Sequence, residues 1–138
     1  MYLSMERLPG YYNCEKKEYE QGEMYPAGRC NCSVIIFVMS GILRFSEEDD
    51  IIELTTGEYY IQQEGFMHEG NVKCDTPVFY SIEFPGDFKP NDGIPIRGTF
   101  DIETFEKPLT ALYEAEFSGG MTFFKKVSVF LDLLDSLY

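Results

Sequence analysis

The stretch "GEYYIQQEGFMHEG", Gly57 to Gly70, decides how this chain reads. A glycine opens it, an aromatic-rich extended run follows, a second glycine comes at Gly65, and His68 sits three residues later. His68 is the only histidine in the chain. Short aromatic and β-branched runs bounded by glycine read as strands between turns. The neighbouring segments repeat the form. "CNCSVIIFVMSGILRFS" is an apolar β-branched run interrupted at Ser40-Gly41, "DDIIELTTG" is an acidic turn, a short strand and a Thr-Gly turn, and "TPVFYSIEFPG" ends at Pro85-Gly86. Strands with turn signals every ~8–12 residues indicate a sandwich or small barrel. The segment before Cys30 is polar and tyrosine-rich, with Tyr11, Tyr12, Tyr19 and Tyr25, and reads as an arm or edge strands.

The period changes after the turn-rich loop "PGDFKPNDGIPIRG". Pro108 suits the first turn of a helix, Leu109, Leu112 and Phe117 follow at roughly helical spacing, and Gly119-Gly120 would end it. In "MTFFKKVSVFLDLLDSLY", Phe123, Val127, Phe130, Leu134 and Leu137 form one stripe at steps of three and four. Phe124, Val129, Leu131 and Leu133 add apolar surface on other sides. One barrel wall covers one stripe, and the remainder asks for a second partner, most simply the same helix of another subunit. The alternative is that both faces pack inside one domain. The expected division is residues 1–98 for arm and barrel, and 99–138 for a helical dimerisation segment of the same domain.

At 138 residues with 44% apolar content, the chain suits one domain with a real core. The net charge of −13 makes phosphate backbones repel it, so binding of nucleic acid by this chain itself is not expected. No apolar run reaches membrane-spanning length. "MYLSMERLPG" lacks the pattern of a signal peptide, which leaves the cytoplasm as the expected compartment. There the four cysteines, Cys14, Cys30, Cys32 and Cys74, are expected to be reduced.

"GEYYIQQEGFMH" resembles the second cupin motif: Gly57, five residues, Gln63 where proline is usual, one residue, Gly65, two residues, His68. "VIIFVMSGILRF" is similar to the strand–turn–strand that closes the first cupin motif, with Gly41 as its final glycine. The implied fold is mainly β, a cupin double-stranded β-helix or jelly-roll barrel, followed by two C-terminal α-helices. With that helical tail the chain is similar to the N-terminal domain of AraC-type transcription regulators. The resemblance implies a barrel that binds a small-molecule effector, possibly a sugar, and an N-terminal arm, here "LPGYY", that covers the pocket. It also implies a homodimer through the last helix. The family's paired helix-turn-helix DNA reader is absent from these residues, so DNA would be met only through such a domain. The metal ligands of enzymatic cupins are missing from the first motif: Val34 stands at the glutamate position, and Gly28 and Cys30 stand at the histidine positions. No cofactor, no metal and no catalytic residue are therefore expected.

Strand parity supplies the site candidates. Cys30, Cys32 and Val34 share a face, and His68 would meet the same cavity. Two thiolates and an imidazole make zinc an alternative. A nucleophilic Cys–His pair is a weaker one, with only Arg29 near in sequence to lower the thiol pKa. Contact with a ligand is the favoured role for His68, against structural packing. Phe79, Ser81 and Glu83 form the mixed face of "PVFYSIEF" and suit a metabolite pocket. Arg29 would reach a carboxylate or a sugar hydroxyl, and Tyr12 would cap the pocket by stacking. "EEDD", Glu47 to Asp50, reads as a solvated hairpin tip. The leading function is an effector-sensing and dimerisation domain without enzymatic chemistry. The alternatives are a stand-alone cupin enzyme, a metal-binding cupin, or a scaffold acting through its apolar last helix.

Overall fold

The computed structural model describes residues 1–138. In chain order it has β1 (Tyr2–Leu3), β2 (Asn13–Glu18), β3 (Gly28–Arg29), β4 (Ser33–Glu47), β5 (Asp50–Thr55), β6 (Glu58–Gln62), β7 (Met67–Glu69) and β8 (Asp75–Phe84). Then come β9 (Phe88–Lys89), β10 (Ile94–Pro95), β11 (Arg97–Thr99), α1 (Ile102–Ser118) and α2 (Phe123–Leu137). The fold is mainly β and antiparallel, a jelly-roll-like barrel followed by two helices.

One long strand organises the barrel. The first half of β4 pairs with β8 on one side and β6 on the other, and its second half pairs with β5 and β7. The expected break at Ser40-Gly41 is instead a bend within a continuous strand, with register shifts against β8 on both sides of Ser40. Gly41 takes φ +74, and a Cβ there would lie 2.7 Å from the Asp75 carbonyl oxygen. Only glycine meets both demands, so the strand can turn from one wall of the barrel into the next.

Alternation along these strands sorts side chains into two cores. Ile35 and Phe37 of β4, Tyr59 and Ile61 of β6, and Tyr80, Ile82 and Phe84 of β8 join a cluster of 17 buried residues beneath the helices. Ile36 and Val38, Tyr60, and Phe79 point the other way, into a barrel-interior cluster of eight with Leu43, Phe45, Leu54 and Cys74. A strand buried on both faces reads as a continuous apolar run, which is why "VIIFV" shows no polar alternation.

Both helices carry their own start signals. Asp101 caps α1 by accepting from the Glu103 amide, and Thr122 caps α2 by accepting from the Lys125 amide. Because Asp101 sets the start, Pro108 lies inside α1 rather than in its first turn. Gly119 closes α1 in the left-handed conformation, as expected. Phe105, Leu109, Leu112 and Ala115 of α1 and Phe130, Leu133 and Leu134 of α2 are buried against the sheet. Each such large apolar side chain contributes about 1.5–3 kcal/mol.

The N-terminal segment is not a free arm over the barrel mouth. β1 pairs with β9 and β10, two short strands inside the stretch expected to be a loop. Tyr11 is buried against Phe130, and its hydroxyl donates to Glu116 of α1. Backbone pairing and this anchor hold the segment on the helix side of the sheet.

Candidate functional site

A cavity of about 190 Å³ opens at one end of the barrel, lined by Lys17, Tyr25, Pro26, Gly28, Arg29, Cys30, Val34, Gln62 and His68. Lys17 comes from β2, Gly28 and Arg29 from β3, Val34 from β4, Gln62 from β6 and His68 from β7, so five strands fix its walls. Tyr25 is seated by a close backbone approach: a Cβ on Gly70 would overlap the Tyr25 carbonyl, so glycine is required there. The lining holds Lys17, Arg29 and the sole histidine but no carboxylate. In a chain with 24 acidic residues against 11 basic ones, that composition marks a donor-rich pocket.

β7 lies between β3 and β4, which places His68 opposite Gly28 on one side and Glu47 on the other. His68 is 2% exposed and Glu47 8%. His68 Nε2 lies 3.0 Å from Glu47 Oε1, and the Tyr60 hydroxyl donates to the other carboxylate oxygen. Burial first, then this bond to Glu47, pushes the Tyr60 phenol far above its usual range, so it stays a donor. On the other side of the ring, Nδ1 lies 3.3 Å from Cys30 Sγ. Glu47 thus belongs to the interior, while Glu48, Asp49 and Asp50 of the same acidic run are exposed as a hairpin tip should be.

Gln62 is 1% exposed. Its Oε1 accepts from the Tyr25 hydroxyl at 3.2 Å, and Cys30 Sγ lies 3.9 Å from the same oxygen. Its Nε2 is buried without an acceptor. Burial pushes the Cys30 thiol up to about 11, with Glu47 and Glu83 adding to the effect. Burial and then a hydrogen bond to Glu83 push the Cys32 thiol up to about 12.

Of the residues picked from sequence, Arg29, Cys30, Val34 and His68 line the cavity, and Tyr12, Cys32, Phe79, Ser81 and Glu83 do not. Arg29 sits at the rim, donating to the Gly65 carbonyl. Cys32 turns away and donates to Glu83 Oε2 at 3.3 Å. Phe79 is fully packed in the barrel interior, edge-on to Tyr19. Ser81 is buried on the same face, as strand parity required, but outside the lining. Tyr12 is 59% exposed on the anchored N-terminal segment and caps nothing. On α2, Phe130 and Leu134 are consumed by the protomer's own core, Val127 and Leu137 are partly covered, and Phe123 is exposed. The regular stripe is mostly the barrel-facing side of the helix, so Phe130 and Leu134 are corrected from interface to core. Sequence reasoning missed Lys17, Tyr25, Gln62, Glu47 and Tyr60. Gln62 had a signal: it lies two residues after Tyr60 and so shares its inward face.

Metal chemistry of the cupin kind does not fit these side chains. Only Cys30 Sγ and His68 Nδ1 converge, Cys32 is engaged with Glu83, and His68 Nε2 is engaged with Glu47. No group of three His, Cys, Asp or Glu side chains is arranged to hold an ion. Zinc would need at least three such ligands.

No family model matches the chain, and no curated protein does. Among solved structures it is similar in part to the EutQ protein of Clostridium difficile, at 19% identity and a TM-score of 0.43, over 54% of this chain and 57% of that one. It is also similar in part to YlbA from E. coli (family model DUF861), at 14% identity and a TM-score of 0.33, over 73% of this chain and 49% of that one. The chain therefore spans about half the length of these structures. No helix is long and apolar enough to cross a membrane.

Proposed function

We propose that this chain is a small-molecule-sensing domain of the AraC regulator type, in which the barrel-end cavity takes an effector and the helices report its presence. One observation carries the reading. β2 and β8 face the barrel interior on one side, where Lys17 reaches the cavity, and α1 on the other, where the Tyr80 hydroxyl pairs with Thr110. Movement of these strands on ligand entry is therefore felt directly by α1, a physical link between site and readout.

The donors around the cavity favour a small anionic or oxygen-rich metabolite. Self-association through the remaining exposed apolar surface of α2 is part of the proposal, as is residence in a reducing cytoplasm, which suits four free cysteines. With a surface charge of −13, contact with DNA falls to an attached reader domain.

The test is a thermal-shift screen with small carboxylates, polyols and monosaccharides, followed by hydrogen exchange. A true effector raises Tm, loses affinity when Gln62 becomes Ala, and alters amide protection in α1. Binders that leave α1 and the association state untouched would refute the sensing mechanism while leaving a binding pocket.

A further inference from the structure

Sensing by simple binding leaves one part of the cavity unexplained. Cys30, His68, Glu47 and Tyr60 form a linked chain of contacts. An ionised Glu47 only accepts hydrogen bonds. The Tyr60 hydroxyl supplies one of its oxygens, so His68 supplies the other with an Nε2–H. In the neutral ring that tautomer leaves the Nδ1 lone pair facing Cys30 Sγ at 3.3 Å. A thiol beside a base, with the base held by a buried carboxylate, is the arrangement that activates a nucleophile.

The second observation concerns Gln62, whose Oε1 Cys30 Sγ also approaches at 3.9 Å. Gln62 lines the same cavity, is 1% exposed, and has an Nε2 with no acceptor. Its amide is oriented by the Tyr25 hydroxyl at Oε1. A buried donor left unpaired is unfavourable, and an oxygen brought by a ligand would satisfy it. The same amide's Oε1 lies 3.9 Å from Cys30 Sγ, and a spare donor on a group that near the thiol serves an oxygen that gains charge as the thiol attacks.

We propose that Cys30 is a nucleophile that reversibly captures small aldehydes in this cavity, with His68 as base, Glu47 as its positioning residue and Gln62 Nε2 as donor to the carbonyl oxygen. A bond forms between Sγ and the carbonyl carbon as the C=O π bond breaks, and that electron pair moves to oxygen. The thiol proton passes to His68 Nδ1 and then to the oxygen. The product is a hemithioacetal containing every atom of thiol and aldehyde, so no oxidant or other reactant is needed. Because burial holds the resting thiol protonated, the neighbouring base is what makes attack possible. Lys17 and Arg29, held only in exposed ion pairs with Glu15 at 3.4 Å and Glu48 at 3.9 Å, suit an aldehyde that also bears a carboxylate. The inference does not depend on the helices reporting occupancy.

Cys32 is the internal control. It is also partly exposed, but its thiol meets the Glu83 carboxylate rather than an imidazole. Site-resolved mass spectrometry of iodoacetamide labelling on the intact chain is the experiment, with glyoxylate and acetate as probes. Cys30 is expected to label at least about tenfold faster than Cys32, and glyoxylate to protect Cys30 where acetate does not. His68→Asn should abolish that advantage, and Glu47→Gln should reduce the Cys30-to-Cys32 ratio without changing the Cys32 rate. If either variant fails to fold, the wild-type protection comparison decides alone. Equal labelling of the two thiols overturns the proposal, as does equal protection by glyoxylate and acetate. The latter result is anion binding without thiol chemistry and leaves the sensing reading intact.

Discussion

The two faces of the central strands are built to opposite standards. On the helix side, Ile35, Phe37, Tyr59, Ile61, Tyr80, Ile82 and Phe84 pack with α1 and α2 into one apolar cluster. On the barrel side the same strands bury a smaller apolar cluster and then, at one end, a histidine, a glutamate and a glutamine with a donor to spare. The first face supplies cohesion. The second keeps polar groups out of water beside a cavity, an arrangement that weakens the fold locally and gives a ligand something to complete. The boundary runs between adjacent residues: Ile61 belongs to the cohesive face and Gln62 to the polar one.

The strongest way to break the cohesive face is Phe84→Ala. Phe84 is fully buried, with its ring 5.4 Å from that of Phe130, so it ties β8 to α2. Denaturant unfolding should show a loss of about 3–5 kcal/mol. A loss below about 1 kcal/mol would mean that the helices contribute little to the core. Gly41→Ala comes next, because it attacks the bend that lets β4 serve both faces. The left-handed conformation alone costs about 1–3 kcal/mol in a non-glycine residue, and the approach to Asp75 adds to that. An unchanged unfolding midpoint would show that the bend relaxes without glycine.

This division was partly legible in the sequence. Strand existence, the two-helix tail and the inward sense of the Phe79–Ser81–Glu83 face followed from alternation and turn residues, which are local properties. The Gly57–Gly65–His68 spacing also pointed to a site around His68. The rest depended on contacts between distant segments. Glu47 looked like part of an exposed acidic tip because nothing local says that β7 brings His68 against it. Lys17 and Tyr25 lay in a segment without strong periodicity, and their place was set by pairing to β8 and by the approach at Gly70. The stripe on α2 was read correctly as apolar, but a stripe cannot say whether its partner is the same protomer or another.

The polar face gives the sharper contrast. Gln62→Leu should leave stability within about 1 kcal/mol of wild type, because it removes an unpaired donor while depriving Tyr25 of an acceptor. The same change should weaken effector binding at least about tenfold. A large destabilisation with binding intact would reverse the roles assigned to the two faces.

High pH separates the faces by charge. Cys30 and Cys32 stand at about 11 and about 12 in the fold against 9.0 for a free thiol, raised first by burial. The folded chain therefore holds these protons more tightly than the unfolded one. The associated stability is fully present below about pH 9 and drains away as pH rises through 11 to 12. Urea midpoints should fall from pH 9 upward, and less steeply in a Cys30→Ser, Cys32→Ser variant. Cys14, raised to about 12 on the helix side, keeps part of the slope in that variant. Identical slopes would show that these two thiols are not the groups responsible.

The smallest effect on stability belongs to the surface that neither core uses. Phe124 is 85% exposed and Phe123 61%, side by side at the start of α2, with Phe117 exposed at the end of α1. Truncating an exposed side chain removes little folded-state packing, so Phe124→Ser should shift unfolding by no more than about 0.5 kcal/mol. Sedimentation velocity reads the other consequence. If these aromatics join two copies, the variant dissociates at concentrations where wild type remains associated. If both sediment as monomers at high concentration, the dimer proposal fails, and α2 serves only to close the core beneath it.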